Sequence, residues 1–360
     1  MRSEEVVRRR MHNQRLWGPP MASPEDVVGW LAAMQSQEIA LADWAVAQRT
    51  RLVNKAAMDQ AVANGTILRS HLLRPTWHFV LPADIRWLLE LTRPRINALN
   101  AFSYRRFGLD EAVFAKTNAV IAAALDGGRQ LTRKELASIL HGAGIIANGL
   151  HLAYVLMRAE LDAVICSGAP RGRQQTYARL EDRVPSAPSL DRTAALAELT
   201  RRYFTSRGPA TLRDYLRWSS LTAADGHEGL EMVGSLLQRE VVDGRTYWFA
   251  PAAPGAVPPS PWVDLVQGYD ECIMSYSESK DVLRLEGTTG RLLTGEAVFT
   301  HAILLDGRLV GHWRPAVGTS RVAIDAHFYR PLNAAENDAF EAAADRYGRF
   351  VGLPVVLKSY

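Results

Sequence analysis

The sequence contains little cysteine, little lysine and no long apolar run. Its 360 residues include two cysteines, Cys166 and Cys272, which are too few for a disulfide framework or for a zinc site built from thiolates. No stretch approaches the roughly 18–20 uninterrupted apolar residues of a transmembrane helix. The first residues lead into Arg8-Arg9-Arg10 without the apolar segment of a signal peptide. We therefore expect a cytoplasmic protein that does not associate with membranes.

Several common catalytic motifs are also absent. The sequence has no G-x-x-x-x-G-K-[ST] phosphate-binding loop, no H-E-x-x-H zinc motif and no G-x-S-x-G nucleophile motif. The nine histidines are scattered, and none forms a pair at metal-binding spacing. These absences predict a protein without a metal and without a cofactor.

The basic residues are unusually rich in arginine. Only five of the 42 Lys and Arg residues are lysine. Together the 42 basic residues outnumber the 38 acidic residues by four. Arginine has a planar guanidinium that suits phosphate groups and base edges, but a genome that favours arginine codons explains the same composition. Residues 171–217 contain ten arginines and five acidic residues. This local excess predicts a surface that follows a nucleic-acid backbone.

Three stretches share a pattern of helices followed by a β-hairpin. The first opens with a helix after Ser23-Pro24 and ends with β-rich runs around Pro75. The second opens with a capping box at Thr132 and ends with two strands around a basic loop. The third ends with a hairpin at Asp243-Gly244. Helices closed by a hairpin are the plan of a winged helix.

The predicted fold is α+β, with three tandem winged helix-turn-helix units followed by a small C-terminal β-sheet or part-barrel and a terminal helix. The predicted domains are a first winged helix with linking helices at 1–125, a second winged helix at 126–188, a third at 189–254 and a β-rich domain at 255–360.

Gln35-Ser36-Gln37 is the motif that points most directly to chemistry. It follows the first predicted helix at a place where the apolar spacing breaks, so an extended linker is expected. In an extended segment, residues two apart lie on the same side, so both amides would project into one site. The alternative is a pair of solvated linker residues. The nearby Glu38 and Asp43 are either a carboxylate helper or residues that cap and solvate a helix.

Four segments resemble those of the AlkZ-like and YcaQ-like winged-helix DNA glycosylases. Gln35-Ser36-Gln37 resembles the Q-x-Q motif of that family, and residues 72–79 resemble its L-R-G-T-L-H segment, with Pro75 in place of glycine. Residues 268–271 resemble its G-F-D-E segment, and residues 310–314 its V-G-x-W-R segment. Residues 276–279 lack the arginine that the family often has there. The order and spacing of the segments extend the resemblance over almost the whole chain.

The resemblance implies a glycosylase that removes bulky N-alkylpurines and unhooks interstrand crosslinks, in DNA repair or in self-resistance. Gln35 and Gln37 would then line the catalytic channel of a monomer bound to double-stranded DNA that carries alkyl adducts or crosslinks. For DNA contact we select Arg171 and Arg173 in the second basic loop, although a solvated loop is the simpler interpretation. Arg74 and His78, in the first hairpin, are further candidates beside the glutamines.

The chemistry attached to this resemblance does not require a strong acid or base. Alkylation at N7 or N3 makes a purine cationic, so the base already leaves readily, and two neutral amides would position water and stabilise the developing oxocarbenium ion. The competing hypothesis is a non-catalytic winged-helix protein, either a DNA-binding regulator, which usually dimerises, or a drug-sequestering resistance protein.

Overall fold

The structure is a computed structural model that describes residues 1–51, 54–251, 255–284 and 301–358. None of its described helices is long and apolar enough to cross a membrane. The helices are α1 (Ser3–Asn13), α2 (Pro24–Leu31), α3 (Ile39–Ala47), α4 (Lys55–Asn64), α5 (Pro82–Arg106), α6 (Glu111–Ala124), α7 (Arg133–Gly142), α8 (Gly149–Leu161), α9 (Leu180–Arg183), α10 (Arg192–Arg207), α11 (Leu212–Ser219), α12 (Ala223–Val233), α13 (Glu271–Met274) and α14 (Ala334–Val351). The strands are β1 (Met34–Gln35), β2 (Leu68–Leu72), β3 (Thr76–Val80), β4 (Leu131–Thr132), β5 (Ile165–Ser167), β6 (Thr176–Arg179), β7 (Gln238–Val242), β8 (Arg245–Phe249), β9 (Val263–Val266), β10 (His301–Leu305), β11 (Arg308–Val317), β12 (Val322–Phe328) and β13 (Val355–Leu357).

Helix starts follow the capping chemistry that the sequence predicts. The side chain of Ser23 accepts from the backbone N–H of Asp26, and that of Thr132 accepts from the N–H of Glu135. In both cases the acidic side chain accepts from the backbone N–H of the capping residue. These bonds satisfy N–H groups at the start of the helix that have no acceptor within it. The predicted starts of α2 and α7 are therefore confirmed.

One order of elements occurs three times along the chain. The first unit (residues 24–80) runs α2, β1, α3, α4, β2 and β3, and its sheet has the order β1-β3-β2. The second unit (residues 111–179) runs α6, β4, α7, α8, β5 and β6, with the sheet order β4-β6-β5. In the third unit (residues 192–249), a single bridge from Ala210 to Trp248 takes the place of the short first strand beside the β7-β8 hairpin.

The C-terminal part is an open sheet of five strands in the order β13-β12-β11-β10-β9. The pairs are antiparallel except for β12 with β13, which are parallel, and α14 connects these two strands. A second Asp-Gly pair, Asp306-Gly307, likewise predicts a hairpin turn, and it forms the turn between β10 and β11, where Asp306 has a φ of +48°. The α+β class and the C-terminal sheet with its terminal helix are confirmed. The sequence predicts a first hairpin strand at 297–305, of which residues 297–300 lie outside the described residues.

The first unit and the C-terminal sheet share one hydrophobic core. The Trp44 ring of α3 meets the Tyr347 ring of α14 edge-to-face, with their centroids 5.2 Å apart. The indole N–H of Trp44 donates to the carbonyl oxygen of Leu265 in β9 at 2.7 Å. Burial of apolar surface against the distant sheet therefore helps to stabilise the first unit.

Two buried ion pairs join the C-terminal part to the rest of the chain. Arg49, just after α3, binds Asp270 through both of its terminal nitrogens, at 2.7 and 3.0 Å. Arg207 of α10 binds Glu271, with Nη2 2.8 Å from Oε2. All four side chains are at most 1% exposed. Such a pair repays the cost of removing charge from water only when its geometry is good and its remaining polar atoms are bonded.

The Glu271→Gln variant should lose about 3–5 kcal/mol of unfolding free energy at pH 7, because it leaves the Arg207 charge buried without a partner. The Arg207 charge and hydrogen bonds lower the pKa of Glu271 to about 2, against the effect of burial. The contribution of Glu271 is thus complete above its ordinary pKa and disappears as the pH falls through about 2. The measurement is urea unfolding at pH 7 and at acid pH. The control variant Glu341→Gln changes an exposed glutamate, and its unfolding free energy should change by no more than about 0.5 kcal/mol. Equal losses in both variants would contradict the stabilising role of Glu271.

Candidate active site

The glutamine segment begins where α2 ends. Ala32 ends the helix with a φ of +60°. The buried guanidinium of Arg207 donates to the carbonyl oxygens of Leu31 and Ala33, at 2.9 and 2.8 Å. Arg207 therefore fixes the backbone on both sides of Ala32, and the chain leaves this point in the extended conformation of β1.

Pairing with β3 holds Gln35 and Ser36 in place. Gln35 lies opposite His78, and the N–H of Ser36 donates to the carbonyl oxygen of Trp77 at 2.8 Å. This pairing makes the backbone extended at Gln35 and Ser36. An extended backbone is what the prediction that both glutamine side chains lie on one side requires. The same-side orientation of Gln37 itself stays a prediction.

The two glutamines have different surroundings. The Gln35 side chain is 3% exposed, and its Oε1 accepts from Nη2 of Arg74 at 2.6 Å. Its backbone N–H donates to Oε1 of Glu271 at 2.9 Å. Gln37 is half-buried, and its Oε1 is shielded from solvent without a hydrogen-bond partner among the described residues. Of the two amide oxygens, that of Gln37 is therefore the one without a described hydrogen-bond partner.

His78 lies beside Gln35 as a neutral ring. Burial, followed by the charge of Arg74, lowers the pKa of His78 to about 3. Nδ1 lies 2.9 Å from the carbonyl oxygen of Thr76, which can only accept, so Nδ1 carries the proton. Nε2 is then a bare acceptor, and it has no partner in the described part of the protein. Because Ser70 is the Cα partner of His78 on β2, the side chains of Ser70, His78 and Gln35 form a row on one face of the sheet.

Buried polar atoms without partners are concentrated around β1 and its neighbours. Buried polar groups in folded proteins are nearly always bonded to protein or water, so such a concentration indicates a place built for polar contacts. The atoms are Ser36 Oγ, Gln37 Oε1, Ser70 Oγ, Thr76 Oγ1 and His78 Nε2.

Two carboxylates follow the glutamines, in different environments. Glu38 is exposed; its Oε2 is 3.7 Å from Nε2 of His301, and partial burial raises its pKa. Asp43 is buried on α3 with one oxygen 3.2 Å from Nζ of Lys55. Burial raises the pKa of Asp43 to about 6, against the effect of Lys55. Both carboxylates therefore hold a proton more readily than usual, which is what acid–base chemistry near neutral pH requires.

Arg74 and His78 lie at the glutamines, whereas Arg171 and Arg173 belong to a separate part of the surface. Both of these arginines are exposed in the loop between β5 and β6. Arg171 bonds to Glu135 at 2.8 Å and to the carbonyl oxygen of Gln130 at 2.7 Å. Arg173 has no hydrogen bond or ion pair to any described residue. Its guanidinium is thus the freer of the two.

Much of the arginine excess at residues 171–217 forms internal contacts. Arg207 is fully buried, and Arg202 bonds to Glu198 and Asp84. Arg183 donates to the carbonyl oxygens at the end of α4. Exposed Arg217 joins Arg173 as a side chain without a described ion pair. The positive surface is therefore narrower than the count of arginines indicates.

Sequence reasoning missed the most heavily bonded carboxylate near the site. Glu271 accepts from the indole N–H of Trp218 at 3.0 Å and from Oγ of Ser275 at 2.7 Å, in addition to Arg207 and the N–H of Gln35. It lies in the 268–271 segment that the resemblance singled out, but one carboxylate in a short motif gives no sign of partners 53 and 236 residues away. Among the described residues no group of three His, Cys, Asp or Glu side chains is arranged to hold a metal ion.

This chain is similar to known proteins over most of its length. The model of the family described as DNA glycosylase AlkZ-like matches residues 28–350. A relative from Streptomyces sahachiroi, described as an interstrand DNA cross-link repair glycosylase, is 23% identical over 324 residues that cover 86% of each chain. The solved structure of Streptomyces sahachiroi DNA glycosylase AlkZ is similar with a TM-score of 0.81 and 22% identity, over 99% of this chain and 100% of that one. The chain belongs to the AlkZ-like DNA glycosylase family, which confirms the resemblance read from its motifs.

The His78 ring should stay neutral between pH 5 and pH 8, because its pKa is lowered to about 3. The measurement is NMR of the imidazole C–H signals across this range, with His78→Gln used to assign the signal. A signal that titrates with a midpoint above pH 5 would contradict the buried, neutral ring.

Proposed function

We propose that this protein hydrolyses the N-glycosidic bond of bulky or crosslinked N-alkylpurines in DNA, as a monofunctional and metal-independent glycosylase. The observation that carries the proposal is the set of unpartnered buried acceptors at Gln37 and His78, next to the amide of Gln35. A water molecule can donate hydrogen bonds to such acceptors, and their partial negative charge would stabilise a developing cationic sugar. The relative's description as a crosslink repair glycosylase supports the choice of substrate.

The three repeated units are proposed to be tandem winged helices around double-stranded DNA. Their helix, strand, helix, helix, hairpin order is that of a winged helix, and it supports three such units. Of the four domains proposed at 1–125, 126–188, 189–254 and 255–360, the first includes α6, the helix that opens the second unit. We further propose that the protein acts as a cytoplasmic monomer, since a backbone-binding enzyme needs no paired half-sites.

The two glutamines are assigned different tasks. An alkylated purine is already cationic, so bond breaking places positive charge on the sugar rather than negative charge on the base. The Oε1 of Gln37 is the unpartnered amide dipole that can face this charge or accept from water. The Oε1 of Gln35 already accepts from the cationic Arg74, so Gln35 serves better to orient water and backbone than to stabilise a cation.

The Gln37→Ala variant should release alkylated base about 10²–10³-fold more slowly, because it removes one preorganised dipole at the reacting bond. The assay uses a duplex with one N7-alkylguanine, followed by alkaline cleavage at abasic sites. A Gln35→Ala/Gln37→Ala double variant should be at least as slow. The matched control, Gln60→Ala, changes an exposed glutamine on α4 and should retain full activity. The thermal unfolding midpoint of each variant shows whether it is folded, and an unchanged rate in the folded double variant would contradict the proposal.

An Arg171→Ala/Arg173→Ala variant should bind random duplex more weakly, with the slope of log K against log salt reduced by about two if both arginines contact phosphates. The Arg171 contact to Glu135 competes with phosphate, so a reduction nearer one, due to Arg173 alone, is also consistent with the proposal. The measurement is fluorescence anisotropy at several salt concentrations. An unchanged slope would remove this loop from the DNA interface.

A further inference from the structure

A pocket of about 560 Å³ lies between the first and second units. The first unit contributes Arg69 of β2 and Trp77 of β3 to its wall, and the second unit contributes Arg133 and Lys134 of α7 and Tyr177 of β6. We call it the interunit pocket. Its volume lies within the roughly 300–1,000 Å³ typical of small-molecule sites, so one nucleotide fits and a duplex does not.

The charge of the interunit pocket has one sign. Its lining includes three cationic side chains, Arg69, Arg133 and Lys134, and none of the described lining residues is acidic. No described carboxylate lies within ion-pair distance of any of the three. Lys134 is exposed, while burial lowers the pKa of Arg69 to about 10, which leaves it charged at neutral pH. Unpaired positive charge of this kind favours an anionic ligand.

The rest of the lining offers apolar, aromatic and amide groups, which a simple anion would leave largely unused. Leu152 and Ala137 supply apolar surface, and the rings of Trp77 and Tyr177 lie beside it. The amide of Gln175 adds a donor and an acceptor. A free phosphate can accept from the amide but makes no use of the apolar surface, whereas a nucleotide has a phosphate, a planar ring system and polar base edges.

The interunit pocket adjoins the glutamine segment. Arg69 donates through Nε and Nη2 to the carbonyl oxygen of Ser36, at 3.1 and 3.0 Å, and its guanidinium lies 4.3 Å from the centroid of a Trp77 ring. Ser36 separates the two glutamines, and its N–H is bonded to the backbone of Trp77. The residues that form this wall therefore also hold the backbone between Gln35 and Gln37.

We propose that the interunit pocket binds one nucleotide of a DNA strand turned out of the duplex, with its phosphate at Arg133 and Lys134 and its base against the apolar wall. This inference rests on the proposed function, because it assigns the pocket to the same DNA substrate. Arg133 is suited to reach outward: Nη2 donates to the carbonyl oxygen of Gly149, which leaves its other nitrogens for a phosphate.

The first test measures binding of three probes, thymidine 5′-monophosphate, thymidine and inorganic phosphate, by calorimetry. The monophosphate should bind at least about tenfold more tightly than either fragment, because only it uses both the cations and the apolar wall. Arg133→Ala/Lys134→Ala should weaken its binding by about tenfold or more. The control Arg105→Ala/Arg106→Ala removes the same charge from the exposed end of α5 and should leave binding within about twofold.

The second test compares a duplex that has one unpaired thymidine with a fully paired duplex. The wild type should prefer the bulged duplex, and Arg133→Ala/Lys134→Ala should lose this preference while the control keeps it. If the double variant unfolds, exposed Lys134→Ala alone is measured, and it should show a smaller loss in the same direction.

Several outcomes would overturn the inference. Equal affinity for phosphate and monophosphate would reduce the interunit pocket to a phosphate site, and equal affinity in wild type and double variant would remove it from nucleotide binding. Base release from N7-alkylguanine, measured in parallel, separates this inference from the proposed function. Release without nucleotide binding rejects the pocket alone, and nucleotide binding without release rejects the glycosylase proposal alone.

Discussion

One buried carboxylate organises the centre of this protein. Glu271 is 1% exposed, yet it accepts hydrogen bonds from Arg207, Trp218 and Ser275 and from the backbone of Gln35. An ionised carboxylate in the interior is tolerated only when its oxygens are fully bonded, so its partners have little freedom to move. Arg207 in turn holds the backbone around Ala32 in place, because it donates to the carbonyl oxygens of the residues on either side. The position of the glutamine segment is thus fixed by groups from the third unit and the C-terminal part as well as by its own pairing with β3.

The local elements of this fold were predictable from sequence because their signals are local. The capping box at Thr132 and the Asp-Gly turns at residues 243 and 306 depend on residues next to each other, and the structure has all of them. The 25-residue α5 was not predicted as such, since Pro94 lies in its interior and proline normally ends a helix. Packing that buries much of α5 outweighs that local preference.

The candidate site was predictable only in part, for the opposite reason. Gln35, Arg74 and His78 are brought together by β1 and the first hairpin, within a short stretch of sequence. Glu271 bonds to the backbone of Gln35 from 236 residues away, and no spacing rule reveals such a contact. The arginine count misled in the same way: composition gives the number of guanidinium groups but not how many, like Arg49 and Arg207, are used inside the protein.

The core shared by the first unit and the C-terminal sheet has a consequence for synthesis. On the ribosome, residues 24–80 emerge long before residues 263–350, so Trp44 has no partner ring and Gln35 no carboxylate until most of the chain is made. The nascent first unit therefore exposes the apolar face that it later buries, and such exposed surface favours aggregation until the C-terminal part is made. The same delay keeps an incomplete chain from fixing the glutamine segment, because the carboxylate that bonds to Gln35 is made 236 residues later.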